Sequence, residues 1–255
     1  MKKKHVILSG LAALTLFDIV GAQAQAQAQV ANWTGYYIGA HTGYRWGNVS
    51  GSVPFATGFD GENFEYARVP FSGSPNSGIF GVHAGYNFMV SPNWLAGVEG
   101  AWSWGRGVTT FNRFSEGLDS FSTLSYRVEL GWSASLRGRF GYVSNNWLFY
   151  GTGGIAFQQV KVAGSSASVD FNAFSIFSDF SQSKVLYGYV VGAGIEHLIV
   201  GGWTWRLEYL FADFGTKNFG PVRFDSFDIS DTSQNVNLKV QTQTIRMGIT
   251  KLFQP

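Results

Sequence analysis

The chain has 255 residues, of which 13% are charged, 17% are aromatic and 33 are glycine, and it contains no cysteine. Disulfide frameworks and thiolate metal sites are therefore excluded. The formal net charge is +2, but residues 1–28 hold three lysines and one aspartate. Without them Lys+Arg falls from 18 to 15 and Asp+Glu from 16 to 15, so no basic excess remains to indicate nucleic-acid binding.

The first 28 residues have the order of a secretory signal peptide. Lysines at positions 2–4 precede an apolar stretch from Val6 to Phe17, and an alternating Ala-Gln tract follows. The apolar stretch is shorter than the roughly 20 residues of a membrane-spanning helix, whereas this order of charge, apolar core and small residues is typical of export signals. We expect residues 1–28 to be removed at Ala24, Ala26 or Ala28 and residues 29–255 to form one domain.

Apolar residues alternate with small or polar residues over most of the remaining chain, which predicts β-strands. The alternation is clearest from Tyr126 to Tyr142, where the apolar set is Tyr126, Val128, Leu130, Trp132, Ala134, Leu136, Phe140 and Tyr142. Eight such segments lie near residues 36–46, 80–88, 94–106, 126–142, 147–163, 184–200, 203–216 and 238–253. They exceed the usual length of soluble strands and reach the roughly 9 to 11 residues that cross a membrane.

The facing of the fifth segment is open at this level. Phe149 and Ile155 favour an outward face that also includes Gly151, Gly153 and Phe157, but Leu148, Tyr150 and Ala156 on the other face are nearly as apolar.

The connections alternate in length. Tight turns at 91–93, 144–146 and 201–202 are flanked by Trp94, Tyr142, Trp147 and Trp203, and the other connections are long, at about 48–78, 106–124, 163–184 and 216–238. Short periplasmic turns, long outer loops and interfacial aromatics are typical of outer-membrane barrels. The sequence therefore predicts an all-β fold, an eight-stranded antiparallel up-and-down transmembrane β-barrel.

Five segments carry a resemblance to a known family. They are residues 33–39 (WTGYYIG), 80–87 (FGVHAGYN), 192–196 (GAGIE), 207–215 (LEYLFADFG) and 244–253 (TIRMGITKLF). In this order they resemble the small outer-membrane β-barrel surface proteins of alphaproteobacteria, relatives of the OmpA transmembrane domain. The resemblance implies a surface antigen with a role in membrane integrity, weak pore activity or, in some members, haem binding, and it implies no catalytic residues.

Charged residues predicted to point inward cluster near the periplasmic strand ends. They are Glu99, Arg137, Arg139, Glu196, Arg206, Glu208 and Arg246. The interior of an eight-stranded barrel is just wide enough for side chains, and buried charges require partners. We expect these residues to interlock as ion pairs; a gated proton or ion path is the alternative.

His41 and His83 are predicted to point inward on neighbouring strands. If residue 36 pairs with residue 88, the two imidazoles lie directly opposite each other. Two imidazoles could hold a metal ion or haem iron, but zinc requires further ligands, and Glu99 is a candidate neighbour. We expect polar lumen residues with no metal or cofactor, and no zinc affinity tighter than about micromolar.

Four phenylalanines recur at every third position of the third long connection. They are Phe171, Phe174, Phe177 and Phe180. Exposed aromatic residues indicate a contact surface, here for a host molecule, a partner protein or haem. Alternatively, the strands extend past the bilayer and the rings pack on the rim or in lipopolysaccharide.

The sequence favours a non-enzymatic outer-membrane protein with a plugged lumen, acting in membrane integrity and surface interaction. A lipid-modifying enzyme would need a catalytic set at the outer rim, where neither His41, His83 nor His197 is expected. The alternatives are a small-solute porin and loop-mediated haem or host-molecule binding. The expected partners are membrane lipid, lipopolysaccharide and a surface ligand, and no oligomeric state is indicated.

Overall fold

The computed structural model describes residues 31–59, 64–116, 120–170, 175–222 and 234–254. The segment predicted as a signal peptide lies outside these ranges. The described residues form ten strands: β1 (Gly35–Phe59), β2 (Phe64–Gly73), β3 (Ser77–Ser91), β4 (Trp94–Gly105), β5 (Gly107–Glu116), β6 (Ser120–Ser144), β7 (Trp147–Asp170), β8 (Ser175–Leu198), β9 (Trp203–Val222) and β10 (Gln234–Phe253). Within these ranges, no helix has the length and apolar character needed to cross a membrane.

Eight of the strands close into a ring. Their order is β1, β3, β4, β6, β7, β8, β9 and β10, and β10 pairs with β1 from Phe253 opposite Tyr36 to Asn237 opposite Ser52. All the pairings are antiparallel. These strands correspond to the eight predicted segments, which differ from them by at most two residues at the ends of β4 and β8 where a segment extends past a strand. The eight-stranded up-and-down barrel is therefore confirmed.

The long connections differ from the prediction. β2 pairs with the outer part of β1, and β5 with the outer part of β6. β7 and β8 remain paired as far as Val169 opposite Ser175. Most of the four predicted loops is therefore paired strand. The sequence signal ends earlier because alternation requires an apolar face, whereas pairing requires only backbone donors and acceptors, which satisfy one another in the extended hairpins.

The short turns lie where they were predicted, and they define one end of the barrel, called here the turn end. Asn145 has φ 53°, and Gly201 and Gly202 have φ 73° and 75°. Glycine adopts this left-handed region freely and asparagine tolerates it. The opposite end, where the extended hairpins lie, is called the hairpin end.

The facing of β7 follows the first of the two open readings. Phe149 and Ile155 are about half exposed on the outer wall, at 49% and 50%. Leu148, Tyr150 and Ala156 are buried in the interior.

β6 contains a bulge that the alternation did not predict. Leu130 pairs with Val160 and Ser133 with Gln158, so β6 has one more residue than β7 between the two pairs. An extra residue on one strand turns all following side chains to the opposite face.

The bulge makes the single apolar face predicted for 126–142 wrong. Leu136 and Phe140 are exposed outside the barrel, as expected. Tyr126, Val128 and Leu130, on the other side of the bulge, are buried inside it. The segment therefore supplies lipid-facing residues near the turn end and core residues near the hairpin end.

Two apolar clusters occupy the interior. The hairpin-end cluster fills the outer part of the ring: Val49, Val69, Phe71, Tyr126, Val128, Leu130, Ala156, Val160, Val162, Leu186, Val190, Ala212, Phe214, Phe219, Val236, Leu238 and Val240. The turn-end cluster consists of Trp33, Leu95, Val143, Leu148 and Tyr150. Between them lies a layer of buried polar and charged side chains.

Candidate functional site: the charged layer of the interior

The seven predicted interior charges all lie in this layer, which is called here the ion layer. Each is at most 3% exposed. They project inward from five strands, β4, β6, β8, β9 and β10, because each stands at an inward position of its alternating strand.

Glu99 is the centre of the ion layer. Its carboxylate accepts hydrogen bonds from Arg137, Arg206 and Arg246, with Arg246 Nη2 at 3.2 Å from Oε1. Arg139 Nη1 lies 3.7 Å from Oε2. One carboxylate thus faces four guanidinium groups.

The other two carboxylates complete the network. Glu208 accepts from Arg246 Nε at 2.6 Å and from Arg137 Nη1 at 3.1 Å. Glu196 accepts from Arg139 Nη2 at 2.7 Å. Charge-assisted bonds of this kind are stronger than neutral ones.

One ion pair crosses the full width of the interior. Arg206 stands on β9 and Glu99 on β4, which are four positions apart in the ring of eight. The two side chains therefore meet from opposite walls.

Aromatic and hydroxyl groups satisfy the remaining donors and acceptors of the ion layer. Tyr37 donates to Glu99 Oε2 at 3.0 Å and accepts from Arg139 at 3.2 Å. Tyr150 donates to Glu208 Oε1 at 3.1 Å, and its ring lies 4.2 Å from the guanidinium carbon of Arg139, a cation–π distance. Neither tyrosine was predicted as a site residue, although both occupy inward positions of alternating strands.

The histidines are in contact, but the predicted pairing is wrong. His41 lies opposite Gly81 and His83 opposite Gly39, a register shifted by two residues from the expected one. The rings meet diagonally, with their Nδ1 atoms 3.3 Å apart. The glycines make the space, since a Cβ at Gly39 would lie 2.4 Å from His83 Nε2.

The hydrogen bonds of the pair fit a single pattern of neutral tautomers. Arg246 Nη1, 3.5 Å from His41 Nε2, can only donate, so His41 carries its proton on Nδ1, facing His83. His83 then donates from Nε2 to Thr250 Oγ1 at 2.9 Å, and Ser103 donates to His41 Nε2 at 2.8 Å. In the described part of the chain, no three His, Cys, Asp or Glu side chains are grouped to hold a metal ion.

A further buried arginine was missed. Arg45 is 2% exposed and lies on β1, four residues beyond His41 toward the hairpin end. Its position has the same parity as His41, so the alternation itself contained the signal.

The phenylalanine set is only partly described. Phe171 and Phe174 lie outside the described residues. Phe177 and Phe180 belong to β8, where they pair with Ala167 and Gly164 of β7. At these two positions the backbone is paired strand, as in the alternative reading that the strands extend.

The outer wall carries exposed apolar side chains between two rows of aromatic residues. Trp94 stacks on Phe140 near the turn end at 5.1 Å, and Trp102 on Trp132 farther along at 4.5 Å. The exposed apolar side chains and the two aromatic rows together form the apolar belt. On β1 the belt runs from Tyr36 to Trp46, a distance of ten residues or about 33 Å along the strand. With a strand tilt of about 40°, this length corresponds to a belt height of about 25 Å along the barrel axis. This height matches the hydrocarbon thickness that a barrel spans.

The comparisons with known proteins agree with this geometry. Residues 10–244 match the family model described as outer membrane protein beta-barrel domain. The 31 kDa outer-membrane immunogenic protein of Brucella melitensis is 30% identical over 98% of this chain and 100% of its own length. The 22 kDa outer membrane protein of Rhizobium leguminosarum bv. viciae is 27% identical over 78% of this chain and 72% of its own.

Among solved structures, the outer membrane protein OprG from Pseudomonas aeruginosa aligns with a TM-score of 0.47 and 12% identity, covering 88% of this chain and 99% of that chain.

Proposed function

Since the chain belongs to the outer membrane protein beta-barrel domain family, a family of Gram-negative outer-membrane proteins, we propose that it is a non-enzymatic anchor with a closed lumen. In this proposal the barrel contributes to membrane integrity, and the hairpin end interacts with molecules at the cell surface.

The observation that carries the closed lumen is the ion pair between Arg206 and Glu99, because it joins opposite walls of the ring. Apolar clusters lie on both sides of it. A solute crossing the barrel would have to separate buried ion pairs, which is strongly unfavourable because each charge would lose its partner in the interior.

Planar-bilayer conductance of the purified full chain tests the proposal. We expect no steady channels, and a general porin added to the same bilayer serves as the positive control. Steady open channels from the pure protein would contradict the closed lumen and support the small-solute porin instead.

The surface role is supported by the names of the relatives, which are outer-membrane immunogenic proteins in Brucella. It is also supported by the extended hairpins, which project beyond the apolar belt. A binding assay tests this role. Bacteria that express either the wild type or a chain with shortened β7 and β8 hairpin arms are incubated with host cells or serum components, and the amount bound is compared. We expect binding to fall on shortening, and equal binding by both strains would contradict a role for this hairpin.

We also propose that residues 1–28 are removed on export and that residues 29–255 form the mature domain. The order of lysines, apolar core and Ala-Gln tract supports this. Mass spectrometry of the outer-membrane form is expected to find its first residue just after Ala24, Ala26 or Ala28. An N-terminus at residue 1 would contradict cleavage.

A further inference from the structure

Arg45 is a buried cation, and its hydrogen-bond partners among the described residues are all neutral. Its Nη1 donates to Gln158 Oε1 at 2.9 Å, and its Nη2 donates to Ser77 Oγ at 3.3 Å and to the carbonyl oxygens of Leu130 and Gly131 at 3.2 and 3.0 Å. Its Nε is buried without a hydrogen-bond partner in the described chain. No described carboxylate lies within ion-pair distance of it.

The buried charges of the interior do not balance. The ion layer holds four arginines and three glutamates, and Arg45 adds a fifth arginine. With the histidines neutral, the described interior carries a formal excess of two positive charges. Uncompensated charge in a barrel interior closed by apolar clusters is strongly unfavourable.

A cavity of about 50 Å³ lies between Arg45 and the ion layer. Arg45 and Arg246 both line it, together with the hydroxyl groups of Thr242 and Thr244, and its lining contains no carboxylate. A cavity needs about 10–15 Å³ to hold one water molecule. This cavity is therefore large enough to hold a small ion together with water.

We propose that this cavity is a binding site for a small inorganic anion of the size of chloride. Guanidinium and hydroxyl groups supply N–H and O–H donors, which are what an anion requires. The anion would offset the excess positive charge and join Arg45 to the ion layer. It would be a structural ion, independent of whether the barrel conducts.

Thermal unfolding of the full chain in detergent tests the site. Sodium chloride or bromide is compared with sodium gluconate at equal ionic strength, because gluconate is too large for the cavity. We expect an unfolding temperature a few degrees higher in chloride and bromide, with a saturable dependence on concentration. Equal unfolding temperatures in all three salts would overturn the proposal.

The variant Arg45→Met tests whether the anion binds in this cavity. In this variant we expect the difference between chloride and gluconate to disappear. In the matched control Arg106→Met, which removes an arginine whose side chain is 65% exposed, the difference should remain. A chloride effect that persists in Arg45→Met would place the anion elsewhere and overturn the proposal.

Anomalous diffraction from crystals of the wild type grown in bromide gives a result that does not depend on a variant folding. We expect an anomalous peak between Arg45 and Arg246. A cavity that contains water without an anomalous peak would overturn the proposal.

Discussion

Among the residues of the ion layer, Glu99 is the one whose replacement should lower the stability of the barrel most, because four guanidinium groups face its carboxylate. A buried ion pair is weak evidence for stability as a whole, but removing one partner leaves uncompensated charge. The same logic makes the surroundings of Glu99 intolerant of change even where replacement keeps the shape.

Glu99→Gln is expected to lower the free energy of unfolding by about 3–5 kcal/mol, since the amide keeps the size but not the charge. Urea unfolding in lipid vesicles measures the loss. Glu129→Gln is the control, because Glu129 pairs with the exposed Arg106 and such pairs contribute about 0–1 kcal/mol. Equal losses in the two variants would contradict the central role of Glu99.

Gly39→Ala is expected to destabilise the barrel by about 1–3 kcal/mol through overpacking. The new Cβ would lie 2.4 Å from His83 Nε2 and from the backbone oxygen of Ile249. Gly100→Ala is the matched control, because nothing lies within 4 Å of its Cβ position. The same unfolding assay compares them, and a Gly39→Ala variant as stable as the control would show that the space beside His83 is not required.

At the scale of elements, the alternation predicted all eight ring strands, their order and the turn end. It did so because lipid outside and side chains inside impose a strict period of two. The features that it did not predict lie where the period of two is interrupted or has no apolar outer face. The bulge between Leu130 and Ser133 reverses facing without any composition signal, and β2 and β5 pair in segments without an apolar outer face.

Spin labels can test the bulge directly, because the chain contains no cysteine and single-cysteine variants label at one position. We expect Leu136→Cys to give high collision rates with oxygen dissolved in lipid, and Leu130→Cys to give low rates. Uninterrupted alternation would place both positions on one face, so high rates at both would refute the bulge.

The interior was predicted in part for a related reason. All seven charges of the ion layer occupy inward positions that sequence parity identifies. Some partners are cross-strand neighbours, as Arg137 is of Glu99 and Arg246 of Glu208. Others are three or four strands away in the ring, as with Arg137 and Glu208 or Arg206 and Glu99, and these pairings depend on the diameter and the shear of the barrel. Arg45 required the same parity argument, but its neutral partners Gln158 and Ser77 carry no charge signal.

At the scale of the whole molecule, the two ends of the barrel face different compartments. The turn end has tight connections and faces the periplasm in the topology typical of this class of protein, whereas the hairpin end faces outward. In that topology the extended hairpins lie on the outer side of the membrane.

Surface labelling of intact cells should report this orientation. A membrane-impermeant maleimide is expected to label Ser165→Cys, on the hairpin arm of β7, but not Asn146→Cys, in a turn of the turn end. Asn146→Cys should become reactive once the outer membrane is permeabilised. Labelling of Asn146→Cys on intact cells would invert the topology.

The pairing of β10 with β1 has a consequence for assembly. Every other junction of the ring joins strands that are neighbours among the eight in chain order, whereas this one joins Tyr36 to Phe253. The hairpins can therefore form locally and early, but closure of the ring must wait until β10 has formed. Until Phe253 arrives, two strand edges carry unpaired backbone groups that hydrocarbon cannot satisfy. Release of the chain into the bilayer is therefore expected to be favourable only after β10 has paired with β1.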